Sequence, residues 1–172
     1  MIGTDILLTT AELALALGGF GGVVAAFMGN RERWDPMTVV RFRALIMISL
    51  GSALLALAPL PLHYGGLDGD ALWVTASSIA AAFIAVMLAG MLVYARGPMV
   101  THGSRLWSLI AVLMAAAAIG MNVLNALSWG FSRSLTGYLC ALLLLLVLAG
   151  LYFFRLIVLS GPEPADAHTR DS

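Results

Sequence analysis

One carboxylate, two amides and a few hydroxyls are the most chemically capable groups in the apolar stretches of this chain. Glu12 stands in TTAELALALGGFGGVVAAFM, residues 9–28, and Asn122 and Asn125 in AAAAIGMNVLNAL. Thr75, Ser77 and Ser78 lie together in WVTASSIAAAF, and Ser52 in SLGSALL. A carboxylate in an apolar medium is costly unless it is protonated, paired or bound to a cation. Amides and hydroxyls are neutral oxygen ligands: they can share a cation, or hold a protonated acid by hydrogen bonds. Glu12, Asn122, Asn125, Ser78 and Thr75 therefore form the candidate ion- or substrate-binding set. The simpler reading is structural, with Glu12 a hydrogen-bonding partner of Asn122 worth about 1 kcal/mol of packing specificity.

The elements that must position these residues follow from composition. The chain has 172 residues, is 61% hydrophobic and only 10% charged, and has a mean hydropathy of +0.98. Soluble proteins carry about 25% charged residues. The apolar residues fall into blocks close to the ~20 residues that cross a ~30 Å hydrocarbon core. The fold class is thus an all-α integral membrane protein, a five-helix transmembrane bundle forming a single domain over residues 1–160. Its helices are expected at about 6–28, 36–60, 71–96, 105–129 and 134–160. Asp35-Pro36 and Asp70 read as helix starts, and Pro59-Leu60-Pro61 and Gly97-Pro98 as stops. Residues 161–172, GPEPADAHTRDS, are too polar and proline-rich to pack and read as a disordered tail. The stretch MIGTD ahead of the first span has no basic residue, so that span reads as a retained helix and not as a signal peptide.

Orientation follows from the arginines, because short cytoplasmic connections collect positive charge. All nine basic residues are Arg: Arg31, Arg33, Arg41, Arg43, Arg96, Arg105, Arg155 and Arg170 fall on one side of the five spans, and Arg133 alone on the other. The N-terminus is expected outside and the C-terminus in the cytoplasm, in a membrane of bacterial inner (plasma) type. Trp34, Trp73, Trp107 and Trp129, with Tyr64, Tyr94 and Tyr138, stand at predicted helix ends, as interfacial rings do. Arg155, in YFFR, can snorkel to the headgroups.

With that topology Glu12 lies roughly 10 Å inside the outer end of the first span, and Asn122 roughly 10 Å below the same surface. Asn125 is about one turn higher on the same face. Thr75, Ser77, Ser78 and Ser52 reach similar depth, whereas the cytoplasmic half reads as nearly uniformly apolar. Small residues every fourth position mark the expected packing faces. These are Ala14, Gly18, Gly22 and Ala26 in the first span, Ser77, Ala81, Ala85 and Ala89 in the third, and Ala118, Asn122 and Ala126 in the fourth. The first, third and fourth spans are accordingly expected at the centre. The bulky fifth, ALLLLLVLAGLYFF, is expected facing lipid.

Other chemistry is thinly represented. His63, Asp68 and Asp70 share one connection but fit no standard metal-ligand spacing, and His102 and His168 are lone loop histidines. Cys140 is the single cysteine, so no intrachain disulfide forms, and no CxxC or phosphate-binding loop is present. GGFGG lies inside a span rather than at a strand-to-helix turn, so it is no dinucleotide fingerprint. No histidine sits within a span to ligate haem, and no metal or cofactor is expected. A chain of zero net charge without a basic patch is no nucleic-acid binder. The expected partners are the lipid bilayer and a second membrane helix, through self-association or a membrane protein partner. The leading functional expectation is a channel or proton-coupled transporter for an ion or small solute, with an outward-facing site around Glu12. The alternative is a non-catalytic membrane subunit or scaffold. A lipid-modifying enzyme lacks a visible catalytic constellation.

Overall fold

The computed structural model describes residues 3–27, 34, 36–102, 105–129 and 133–159. The described residues form helices α1 (Thr4–Phe27), α2 (Pro36–Leu57), α3 (Pro59–Tyr64), α4 (Gly69–His102), α5 (Arg105–Leu127) and α6 (Leu135–Leu159), and among them there is no strand. Five helical spans, with α2 and α3 counted as one, are long and apolar enough to cross a membrane. The tail at 161–172 and the Asp35 cap lie outside the described residues.

Two boundaries differ from expectation, both at prolines. The second span passes through Pro59 and Pro61 as α2 followed by the short α3. Ala58 keeps helical torsions (φ −55°, ψ −38°), so the break is a loss of hydrogen bonds rather than a change of path. Pro59 has no N–H to offer the Leu55 carbonyl four residues back. The Tyr138 hydroxyl donates to that carbonyl at 2.5 Å, supplying the missing bond from α6. Tyr138 is thus a fully buried packing residue and not the interfacial ring expected. After α3, Gly66 takes a left-handed φ of +94°, which turns the chain toward α4. At the second site, α4 runs through Gly97-Pro98 to His102 instead of ending before them. Pro98 removes one donor, the one for the Tyr94 carbonyl, and the residues on both sides remain helical.

The helices pack in a ring, α1 on α2, α2 on α4, α4 on α5, α5 on α6 and α6 back on α1, with α2 and α6 meeting through the middle. Here the expectation that α6 faces lipid is overturned. Tyr138, Ala141, Leu142, Leu145, Leu148, Ala149 and Leu156 of α6 are all buried. Bulk does not prevent this, because the facing helices put small residues into the same buried cluster as the leucines: Ala44, Ala53 and Ala56 on α2, Ala115 and Ala118 on α5. Of the five spans α2 is the most buried and α5 the least, so the expected centre of first, third and fourth spans is also corrected.

Besides Thr10, the buried residues of α1 are Leu7, Ala11, Ala14, Gly18, Gly21 and Ala25, steps of four and three in alternation. That spacing, about 3.5 residues per turn, is what keeps two helices in register in a left-handed pair. Steps of four alone advance about 40° beyond a full turn each time, so the expected ridge walks off the interface. Ala14 and Gly18 stay on it, Gly22 is half-buried and Ala26 exposed. A Cβ at Gly18 would meet the Ser49 Cβ at 3.2 Å and one at Gly21 the Leu45 Cδ2 at 2.5 Å, whereas one at Gly22 meets nothing within 4 Å. Among the described side chains of α4 the buried ones are Leu72, Ala76, Ser77, Ala80, Ile84 and Met87. The expected Ala81 is half-buried and Ala85 exposed. On α5, Ala118 and Asn122 are buried as expected, with Ala115 and Asn125 completing the seam.

Candidate functional site

Polar groups gather at both ends of the bundle. At the end where α1 begins, the centre is Asn125, near the C-terminus of α5 and fully buried. Its Nδ2 donates to the Ser77 Oγ of α4 at 2.8 Å and to the Ser134 carbonyl at 3.2 Å. Its Oδ1 accepts the Ser134 N–H at 3.1 Å. The amide therefore pairs with both main-chain groups of Ser134, the residue preceding α6, much as a neighbouring strand would. Gly137 makes the approach possible: a Cβ there would lie 2.7 Å from the Asn125 Oδ1 and 2.9 Å from its Cγ. Both N–H groups and the oxygen of this amide are engaged, so it acts as a three-helix clasp joining α4, α5 and the start of α6.

The remaining members of the sequence-derived set do not converge on it. Asn122 is buried one turn below, and its Nδ2 donates to the Ala118 carbonyl of its own helix at 3.0 Å. Its Oδ1 has no hydrogen-bond partner, nor do the buried hydroxyls of Ser49 and Ser52 on α2. Thr75 returns its hydroxyl to the Ala71 carbonyl at 2.8 Å, and Ser78 is exposed beside the buried Ser77. Glu12 is exposed on the outer surface of α1. The seam that turns Ala11 and Ala14 inward rotates Glu12, one residue beyond Ala11, by about 100°. The expected grouping of Glu12 with Asn122 and Asn125 is therefore not formed within one chain. In the adjoining connection His63 Nδ1 lies 2.6 Å from Asp68 Oδ1, while Asp70 Oδ2 faces Arg133 at 3.4 Å. Those three candidate ligands thus divide between two pairs. Among the described residues no three His, Cys, Asp or Glu side chains cluster as a metal site.

The opposite end holds what the sequence reading missed. A shallow cleft opens between α2, α5 and α6, lined by Met37, Arg41, Trp107, Ser108, Tyr152 and Arg155 with aliphatic side chains. The Arg155 guanidinium stacks over the Trp107 ring, Cζ to centroid 4.5 Å, which fixes it at the cleft wall. Nearby, Arg43 covers Tyr94 at 4.6 Å. A second shallow cleft adjoins the first, sharing Ser108, Ala111, Leu148 and Tyr152 with it, and continues between Met87, Met91, Val112 and Ala115. The half of the bundle expected to be uniformly apolar therefore contains two guanidinium groups on the wall of an apolar recess. Their sequence signal, arginines just inside the ends of the second and fifth spans, was absorbed by the orientation argument. Comparison of the chain with family models, with curated proteins and with solved structures gave no match.

Proposed function

We propose that this chain is a non-catalytic membrane subunit that self-associates through the outer surface of α1. The observation that carries the reading is Glu12, a carboxylate left on the outside of a helix apolar enough to cross a membrane. It heads a second stripe on α1, Glu12, Ala16, Gly19, Val23 and Ala26, all exposed and again spaced by four and three. A Cβ at Gly19 meets nothing within 4 Å, so the backbone there is open to a close neighbour. Bare backbone and a hydrogen-bonding side chain are the two means by which helices associate in lipid, where burial of apolar surface gives no drive. A second copy, related by a two-fold axis along the membrane normal, brings the same surface to itself. The two Glu12 side chains then meet at one depth.

Insertion with the N-terminus outside and the arginine end in the cytoplasm, in a membrane of bacterial inner type, is part of this proposal and rests on the arginine bias. The channel or transporter reading draws less support. Asn125 spends both N–H groups and its oxygen on Ser77 and Ser134, and neither of the two clefts described is lined by Glu12 or Asn125. The test is purification in mild detergent with the mass of the protein component measured. The expected result is a dimer that Glu12→Leu or Gly19→Leu converts to single chains without loss of helicity, and no ion flux from liposomes. A single-chain species at every concentration, or a flux abolished by Glu12→Gln, overturns the reading.

A further inference from the structure

We infer that the α1 pair is locked by a knob and a slot, with Phe27 of each copy lying over the bare backbone at Gly22 of the other. The inference rests on the self-association proposed above, and it adds the residues that make that contact specific to a second copy of this chain.

The two flanks of the outer stripe are unlike, and that is the first part of the case. Leu13, Phe20 and Phe27 each follow a stripe residue by one position, after Glu12, Gly19 and Ala26. They therefore stand together about 100° round the helix, on one flank. Leu8, Leu15 and Gly22 form the other flank, with Leu15 and Gly22 one position ahead of Ala16 and Val23. Both rows repeat every seven residues. The first gains bulk along α1, from Leu to Phe to Phe, whereas the second loses it, from Leu to Leu to Gly. Phe27 is 87% exposed and so packs on almost nothing in its own chain. A Cβ at Gly22 would meet nothing within 4 Å, so that slot is also unfilled from within.

Symmetry then brings the two rows together. A two-fold axis along the membrane normal sets the large-residue flank of one α1 beside the small-residue flank of the other, on both sides of the pair. Phe27 lies five residues beyond Gly22, about 7.5 Å along the axis. A long side chain on a helix leans back over the turn before it, so the Phe27 ring reaches the depth of Gly22 of the second copy. The same five-residue offset pairs Phe20 with Leu15 and Leu13 with Leu8, and the bulk gained on one flank is matched by the bulk lost on the other. Steps of four and three suit a left-handed crossing, which keeps the helices in contact along their length. A short right-handed crossing at the glycines splays the ends apart and leaves Phe27 facing lipid. Lipid tails conform to any surface and need no such match. Both halves of the fit lie on one helix, which makes a second copy the occupant.

The test uses the full-length protein in mild detergent, with the dimer fraction measured against the protein-to-detergent ratio. Phe27→Ala, which removes the knob, and Gly22→Leu, which fills the slot, are each expected to weaken the dimer about 10-fold. Neither touches the packing within the chain, since Phe27 is exposed and the space at Gly22 is open. Mixing the two variants gives the sharper result. In a mixed pair the Gly22→Leu chain lays its own Phe27 over an intact Gly22, and its new leucine faces the shortened side chain of the other copy. Mixed dimers, told apart by tags of different mass, are expected to bind about 10-fold more tightly than either variant with itself. Val86→Ala, at a position 73% exposed on α4, is expected to leave the dimer unchanged. A dimer that Phe27→Ala leaves unchanged, or mixed dimers no more frequent than chance, overturns the knob and slot and leaves association through Gly19 standing. A parent chain that stays single at every concentration overturns both.

Discussion

Replacing Asn125 by Ala removes three hydrogen bonds at once, two donated and one accepted, in a place with no exposure. Hydrogen bonds between membrane helices average about 0.6 kcal/mol each, so the direct loss is about 2 kcal/mol. The vacated volume and the stranded main-chain groups of Ser134 bring the expected cost to about 3 kcal/mol. Gly137→Ala attacks the same contact from the other side. Its new Cβ would stand 2.7 Å from the Asn125 Oδ1 and 2.9 Å from the Cγ. The amide must move away and release Ser134, at a cost of about 1–3 kcal/mol. Once Asn125 is already Ala, the nearest remaining atom is its Cβ at 3.2 Å, and Gly137→Ala should then be close to neutral. The double-mutant cycle is therefore expected to show a coupling of about 1–2 kcal/mol, read by equilibrium unfolding in mixed micelles. Asn125→Leu sharpens the test, because it nearly keeps the volume but loses all three hydrogen bonds. Additive single variants, within about 0.5 kcal/mol, would refute the clasp.

Three further expectations follow from the same geometry. Gly21→Ala pushes a methyl to 2.5 Å from Leu45 Cδ2 in the core and should cost about 1–3 kcal/mol, whereas Gly22→Ala enters open space and should be neutral or stabilising. Thermal unfolding of the two variants side by side checks this pair. Tyr138→Phe leaves the Leu55 carbonyl with only the 3.2 Å bond from the Ala58 N–H, and should cost about 1 kcal/mol. Denaturant titration measures that loss, and a stability equal to the parent's removes the proposed role of the hydroxyl. Asp70→Asn breaks an exposed pair at 3.4 Å with Arg133 and should change stability by less than about 0.5 kcal/mol in the same titration.

The five helices were legible because a membrane-length apolar run needs no knowledge of its neighbours. Their arrangement was not. In a soluble helix the buried face is the apolar one, but Leu13 on the outside of α1 and Leu7 on the inside are the same residue type. Small residues were the remaining clue, and they pointed correctly to Gly18, Ala118 and Asn122. Within the single chain Gly22 and Ala81 are half-buried and Ala85 is exposed, because a four-residue ridge drifts and the seam inside the bundle alternates three and four. The leucines of α6 were read as lipid-facing for want of any sign that Ala44, Ala53 and Ala56 would receive them. Asn125 was legible as a buried amide at the depth of Ser77, which accepts one of its N–H bonds, yet its other partners are main-chain atoms of Ser134, admitted by the missing side chain of Gly137, and neither leaves a mark in composition. Glu12 was recognised as the unusual residue of the first span. Its side of the helix was hidden, because α1 carries two stripes of the same spacing and only tertiary contacts say which of them faces the bundle.

The question that matters most is what covers that second stripe. Single cysteines placed along α1 from Glu12 to Ala26, in a chain whose own Cys140 is replaced by Ser, can be oxidised in native membranes and scored for disulfide-linked pairs. Cross-linking that peaks at Ala16, Gly19, Val23 and Ala26, and is absent at the buried Ala14, Gly18 and Gly21, is the result expected of a parallel α1 pair. Uniformly low cross-linking along the whole stripe, with the protein present and inserted, would contradict it.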